Sequence, residues 1–310
     1  MKHIVLIGGG SWISHLLTAF SSENDWKISA IIATGDSGWS SGIIRKSYDV
    51  PALGDIVKNL AALGGADAEW LRYRYRDGFL AGHTSGNVWL LGLIESYGFE
   101  SGIKKAHTLL GYTKHSIIPV TSEVHDIVVR KKNNEIIVGE GPIVQTQDLS
   151  HNVADISLTP RVSASADARA KILEADCIII WPGTLYTSLI ACLVPDGIID
   201  AIKQSSAQKI YIANAANFPP GHCDGYTLED YVSEIQKHTG ISDFDHILAH
   251  DGTGIDTTLR IAVNRENNVE QMDVLTTPAH DIDGIYDSIK RNTLRHDGKK
   301  VARWIKKIFD

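Results

Sequence analysis

The stretch His3-Ile4-Val5-Leu6-Ile7-Gly8-Gly9-Gly10-Ser11-Trp12-Ile13-Ser14 decides the fold. Its aliphatic run has no polar alternation, which predicts a strand buried on both faces, as in a parallel sheet. Three glycines turn the chain, and Ser14 to Ser21 starts a helix that packs back on the strand. The result is a β-turn-α unit. Lys27 to Thr34 repeats the pattern and ends in the polar, glycine-rich run Gly35 to Gly42.

Working outward, helical spacing marks Leu53 to Leu63, Val88 to Tyr97 and Ile103 to Leu110. Short β-rich pieces follow at Ile127 to Arg130, Ile136 to Val138 and Ile156 to Leu158, with a turn at Asn133-Asn134. They predict an antiparallel excursion over residues 116–160. Helix and strand then alternate again: a helix from Ala166 to Ala175, the strand Cys177 to Trp181, a loop from Pro182 to Ser188, the helix Asp196 to Gln204 and the strand Lys209 to Ala213. Later strands are expected at Asp245 to Ala249 and Leu259 to Val263, and a closing helix from Gly298 to Ile308 lies in the basic segment 291–310. The whole reads as a single α/β domain over 1–310, a Rossmann-like, doubly wound, mostly parallel sheet with a small β-rich excursion.

The chain of 310 residues is 43% hydrophobic and 22% charged, enough for one sizeable core and unlike a disordered or fibrous protein. Its apolar runs fall far short of the roughly 18 to 20 residues that span a bilayer. No membrane partner is expected. The N-terminus lacks the long apolar core of a signal peptide, and the three scattered cysteines, Cys177, Cys192 and Cys223, suit a reducing compartment; the protein reads as cytoplasmic. A net charge of −7 leaves no footprint for nucleic acid.

In open parallel sheets, ligands lie beyond the carboxyl ends of the strands. Four polar loops qualify: Gly8 to Ser14, Gly35 to Gly42, Pro182 to Ser188 and Asn214 to Gly225. Gly8-Gly9-Gly10-Ser11 can turn its N–H groups onto an anion together with the following helix start, or simply reverse the chain. The dinucleotide fingerprint G-x-G-x-x-G fails, because Ile13 stands at the third glycine and Trp12 intrudes, so NAD is not expected. The Walker pattern is absent as well. Asp55 opens a helix, where an acid favours the dipole and capping is the simpler role; with Asp36 it alternatively shares a Mg²⁺ that holds ligand phosphates. His83, beside glycine at another helix start, reads first as structural. Thr184 and Thr187 either cap a helix or help cradle a second anion.

Taken in order, these loops resemble the superfamily of 2-phospho-L-lactate transferase, and within it the gluconeogenesis-factor (YvcK-like) branch. The resemblance runs nearly the length of the chain through Gly8 to Trp12, Asp36 to Gly42, Leu53 to Asn59, Gly82 to Asn87, Pro119 to Thr121, Gly139 to Ile143, Trp181 to Ser188, Pro220 to Thr227 and Arg295-His296-Asp297. It implies a nucleotide or UDP-sugar type ligand, often a dimer, and regulation of carbon or cell-wall metabolism; the transferase branch instead moves a phosphoryl-linked group from a nucleoside-diphosphate donor with Mg²⁺. Carried over residue by residue, it implies ligand contacts at Gly8, Gly9, Gly10, Ser11, Trp12, Ser40, Ser41, Asn59, His83, Asn87, Gly183, Thr184, Tyr186, Thr187, Ser188, Asn214 and Arg295. Asp36 and Asp55 are the expected metal and catalytic residues. Three glycines of the branch have become Trp12, Trp39 and Trp181, an acid has become Ser37, and a glutamate has become His222. Indoles at three such positions suggest a reshaped pocket with flat area for stacking.

Overall fold

The computed structural model describes residues 1–217, 219–253, 260–264, 268–274 and 296–309, and the backbone alone at Ser11, Trp12 and His15. The chain opens with β1 (Lys2–Gly8), α1 (Gly10–Ser21), β2 (Trp26–Ile32), α2 (Trp39–Tyr48) and α3 (Gly54–Gly64). A 3-10 segment (Gly65–Arg72) leads to α4 (Ser85–Tyr97), α5 (Phe99–Leu109) and β3 (Ser116–Pro119). Next come β4 (Asp126–Lys131), β5 (Ile136–Val138), α6 (Glu140–Gln145), β6 (Val153–Thr159), α7 (Ala166–Leu173) and β7 (Cys177–Ile180). A π-helical turn (Leu185–Ile190) runs into α8 (Ala191–Leu193), followed by α9 (Ile198–Gln204), β8 (Gln208–Ile212), α10 (Leu228–Thr239), β9 (His246–His250), β10 (Val269–Met272) and α11 (Gly298–Phe309).

Seven of these strands form one sheet in the order β10-β9-β8-β7-β1-β2-β3, with every neighbouring pair parallel. The α/β, Rossmann-like expectation holds. β1 lies between β2 and β7, Ile4 facing Ile28 on one side and Cys177 on the other. Because successive side chains alternate across a strand, Val5 and Ile7 enter one core with Ile178 and Ile180, while Ile4 and Leu6 enter a second with Cys177 and Ile179. Helices cover both faces, which is why β1 needs no polar positions. Strand order grows outward from β1 in both directions, so it reverses between β1 and β7, and a crevice opens beyond their carboxyl ends.

A three-stranded antiparallel sheet, β5-β4-β6, packs on one face through Ile127 and Val129. Arg45 of α2 ties it to the main sheet by a 2.9 Å ion pair with Asp126 and a hydrogen bond to the His125 carbonyl.

Several expectations are corrected. Ser116–Pro119 pairs with β2 and is the edge strand of the main sheet, so the antiparallel excursion begins only at Asp126. Residues 35–42 are a loop only to Gly38; Trp39 starts α2, where Gly42 packs so tightly on the Ser37 backbone that any side chain would collide. The loop from Pro182 to Ser188 winds into the π-helical turn at Leu185. Of the strand expected at Leu259 to Val263, Leu259 is outside the described residues and Ala262 makes an isolated bridge to Thr227; β10 extends the sheet instead. Helix α10, which carries a full capping box between Thr227 and Asp230, was not expected at all.

The edge strand β3 is closed by side chains rather than by another strand. Ile117 N–H donates to His107 Nε2 at 3.1 Å, and Ser165 Oγ donates to the Pro119 carbonyl at 2.8 Å. Burial lowers the His107 pKa from 6.5 to about 4, which keeps this acceptor neutral. The unfolded chain therefore binds the proton first as pH falls, and stability drops between pH 6.5 and about 4, by on the order of 3 kcal/mol from this residue. Urea unfolding across that window should show the slope, and His107→Gln, which keeps an acceptor but does not titrate, should make it shallower, the remainder coming from other buried histidines such as His296.

Candidate functional site

At the carboxyl end of β1, Gly9 precedes α1 with extended backbone and offers no side-chain cap. A Cβ on Gly9 would lie 3.0 Å from Ala33 Cβ and 3.4 Å from Ser188 Cα; one on Gly183 would lie 3.0 Å from Ser188 Cβ and 3.8 Å from the Gly9 carbonyl. The loops after β1, β2 and β7 thus meet closely, with only Cβ atoms of Ala33 and Ser188 between them. The loop after β8 joins them, Asn214 Nδ2 donating to the Gly183 carbonyl at 2.9 Å and His296 Nε2 to the Ala213 carbonyl at 3.0 Å. Gly8, Gly9, Gly10, Gly183, Thr184, Thr187, Ser188 and Asn214 all belong to these loops or the helix starts beside them. The twelve-residue helix α1 directs its N-terminal N–H groups and positive dipole end into the crevice.

The facing wall is built on α2, α3 and α4. Ser40 Oγ lies 3.0 Å from His83 Nδ1 and accepts from Asn87 Nδ2 at 3.0 Å. Thr84 caps α4 by accepting from Asn87 N–H at 3.3 Å. Asp36 Oδ1 accepts from Gly38 N–H at 2.7 Å. Asp55, in the first turn of α3, pairs with Lys58 at 3.0 Å, and its carbonyl accepts from Asn59 Nδ2 at 2.7 Å. Gly54 is what brings these acids together: its missing Cβ would overlap Ser41 Oγ and stand 3.5 Å from Asp36 Oδ2.

A third acid, Glu140 at the start of α6, reaches the same place from the antiparallel sheet. Burial first, and then the charge of Asp36 and a hydrogen bond with it, push its carboxyl well above the ordinary range; Asp55 adds to the rise. Lys58 is shifted upward by Asp55 first, with Asp36 and Glu140 contributing. Among the described residues no group of three or more His, Cys, Asp or Glu side chains is placed to hold a metal ion. Mg²⁺, however, is commonly held by one or two carboxylates together with ligand phosphates, and Asp36, whose Oδ2 lies against Gly54, and Asp55, the next residue of α3, are groups of that type.

Buried polar atoms are normally hydrogen-bonded, so unpartnered ones point to missing company. Among the described residues eleven side-chain atoms are buried without a partner, and seven of them concentrate on the strand-end loops and the helices packed against them: Thr34 Oγ1, Asn59 Oδ1, Asn87 Oδ1, Trp181 Nε1, Thr187 Oγ1, Asn214 Oδ1 and His296 Nδ1. The donors and acceptors of the crevice are in place for a polar ligand.

Some expected residues are placed differently. Tyr186 is fully buried, its hydroxyl 2.8 Å from that of Tyr226; it props the π-helical turn from behind instead of lining the crevice. Trp181 is buried against His296, with ring centroids 5.5 Å apart, and packs under Gly8; it is part of the core and offers no open stacking face. Trp39 is 70% exposed. The side chains of Ser11 and Trp12, and all of Arg295, lie outside the described residues. Cys223 is buried although its loop is polar. Sequence reasoning missed Glu140, Lys58 and His296. Each sits inside a stretch that carried the resemblance, but nothing local marks the acid of Gly139-Glu140-Gly141 as a partner of Asp36.

The family described as 2-phospho-L-lactate transferase CofD matches residues 4–287. The chain is 31% identical to a gluconeogenesis factor of Halalkalibacterium halodurans over 98% of this chain and 95% of that one. It is 28% identical to the gluconeogenesis factor of Bacillus subtilis over 96% and 95%. Its fold is similar to a crystal structure of a UPF0052-family protein from Bacillus halodurans, with a TM-score of 0.85, 29% identity and coverage of 98% and 99%.

Contact between the turns leaves little room for a methyl group, so its neighbours must give way by a few tenths of an ångström. Gly9→Ala should lower stability by about 1–3 kcal/mol in chemical denaturation, whereas alanine at the exposed Gly92 of α4, which has open space around it, should not.

Proposed function

The chain belongs to the 2-phospho-L-lactate transferase CofD family, and from that premise we propose that it binds a nucleotide or nucleotide sugar of the UDP-sugar type in the crevice between β1 and β7. The reading rests on one observation above all: the buried, unpartnered polar atoms gathered around that crevice. Leaving such atoms without partners costs about 1–3 kcal/mol each, a cost that a polar ligand with matching donors and acceptors removes. In this reading Gly8, Gly9, Gly10 and Ser11 present the α1 N-terminus to the diphosphate. Gly183, Thr184, Thr187, Ser188 and Asn214 meet it from β7 and β8, and Ser40, Ser41, Asn59, His83 and Asn87 face it from the opposite wall. Asp36 and Asp55 hold Mg²⁺, which when bound neutralises phosphate charge. The protein then acts as a regulator in carbon or cell-wall metabolism, as a cytoplasmic homodimer.

A second reading is favoured by a different observation, the crowding of Asp36, Asp55, Glu140 and Lys58 at one edge of the crevice. Such a concentration of charge is more than ligand retention needs. It suits a Mg²⁺-dependent transferase that moves a phosphoryl-linked group from a nucleoside-diphosphate donor to a small acceptor, with positioning and charge neutralisation as the chain's contribution.

Calorimetry with UDP-N-acetylglucosamine tests the first reading, and release of nucleoside monophosphate or diphosphate on incubation tests the second. Absence of heat with UDP-sugars and other nucleotides alike would end both. Thr187→Val supplies a sharper check, because the hydroxyl it removes has no partner in the ligand-free chain. The variant should be as stable as the parent or more so, yet bind its ligand about tenfold more weakly, a loss of roughly 1.4 kcal/mol.

A further inference from the structure

Two tryptophans of the strand-end loops have opposite fates. Trp181 is 1% exposed and packs under Gly8, while Trp39 leaves 70% of itself open to solvent. An indole in water forgoes a large apolar burial. Trp39 also has a φ of 40°, in the left-handed region that a bulky residue rarely enters. Neither feature helps the fold. Backbone held in a sparse conformation beside a site, where the surroundings impose it, is a sign of function.

The surroundings do impose it. Asp36 Oδ1 accepts from Gly38 N–H at 2.7 Å, and Gly42 N–H donates to the Gly38 carbonyl at 2.9 Å, so the chain is tied down before and after Trp39. Ser40, the next residue, is buried, with its hydroxyl 3.0 Å from both His83 Nδ1 and Asn87 Nδ2. Trp39 therefore carries an open indole on a fixed stretch of the wall that faces α1, between Asp36 and Ser40. Because the backbone beneath the ring is already ordered, a ligand that stacks on it meets a preorganised surface.

We propose that the Trp39 indole is the stacking platform for the nucleobase of the ligand. The proposal rests on the reading that a nucleotide occupies the crevice, and it adds which part of the wall receives the planar ring. Every base has a π-face, so Trp39 favours a ligand with a base over a bare diphosphate without choosing among bases. A second copy of the chain is the competing occupant, since Ile43, one turn along α2, is 56% exposed. The Asp36 carboxylate and Ser40 hydroxyl on either side suit a polar ligand better than the apolar centre of an interface.

The test is calorimetry on the full chain with UDP-N-acetylglucosamine, GDP and inorganic pyrophosphate, comparing wild type, W39F, W39A and W39G. Nucleotide binding should weaken about tenfold or more in W39A and W39G, and by less than about threefold in W39F, which keeps a ring. Pyrophosphate has no ring to stack and should bind all four chains alike. W39G should melt no lower than wild type, because glycine takes this φ freely; a marked drop would make the indole structural and overturn the proposal. Unchanged nucleotide binding in W39A and W39G, or an equal loss for pyrophosphate, would also overturn it and leave the crevice reading standing. So would a smaller sedimenting species in W39G with nucleotide binding intact, which assigns the indole to an interface between copies. If wild type binds neither nucleotide, both readings fall.

Discussion

Between β1 and β7 the polypeptide brings two turns together at glycines, with no side chain on either Gly9 or Gly183 to hold them apart. Gly9 lies against Ala33 and Ser188, and Gly183 lies against Ser188 and the Gly9 carbonyl. The approach depends on the parallel pairing of Ile4 through Ile7 with Cys177 through Ile180, which sets both strand ends at one level. It also depends on the reversal of strand order there, which sends the following helices to opposite sides. Every other part of the crevice is positioned by this contact. The start of α1 can face the π-helical turn only because neither glycine holds them apart.

Around that contact the protein tolerates polar groups that folding alone would not select. Trp181 Nε1 and His296 Nδ1 are buried without partners, and burial lowers the His296 pKa to about 4, so the imidazole stays neutral with Nε2–H on the Ala213 carbonyl and Nδ1 bare. The acids of the facing wall are concentrated by the same logic. Gly54 removes the atoms that would separate Asp36 from α3, and Lys58 offsets one charge among three. Stability is given up locally, and the two apolar layers of the sheet supply it elsewhere.

Much of the architecture was legible because burial imposes composition. A strand sandwiched between helices has no polar position to alternate with, so Ile4 to Ile7 and Cys177 to Ile180 could be recognised from apolar runs alone. Elements at the surface were less legible. The start of α2 hides in a glycine- and serine-rich run that reads as a turn, and only its packing on Ser37 and Gly54 makes it a helix. Helix α10 carries a readable signal, Thr227 followed three residues later by Asp230, just beyond the polar loop that ends at Gly225. Ser116–Pro119 looks like any short β piece, and its membership of the main sheet is settled by pairing with Ser29 to Ile32, about ninety residues away.

For the site, the sequence by itself determined the inventory: which loops follow strands, that they are rich in glycine and hydroxyls, and that Asp36 and Asp55 stand at the ends of β2 and the start of α3. Those are local properties, fixed by period and turn chemistry. Only the tertiary structure decided direction and company. It turned Tyr186 and Trp181 inward, where their rings could be buried, and it brought Glu140 from a separate sheet to the side of Asp36. An aromatic ring in a loop has no local reason to face one way, and two acids a hundred residues apart have no local reason to meet. Both outcomes follow from how the layers close over the apolar core, a constraint that exists only once the whole chain is packed.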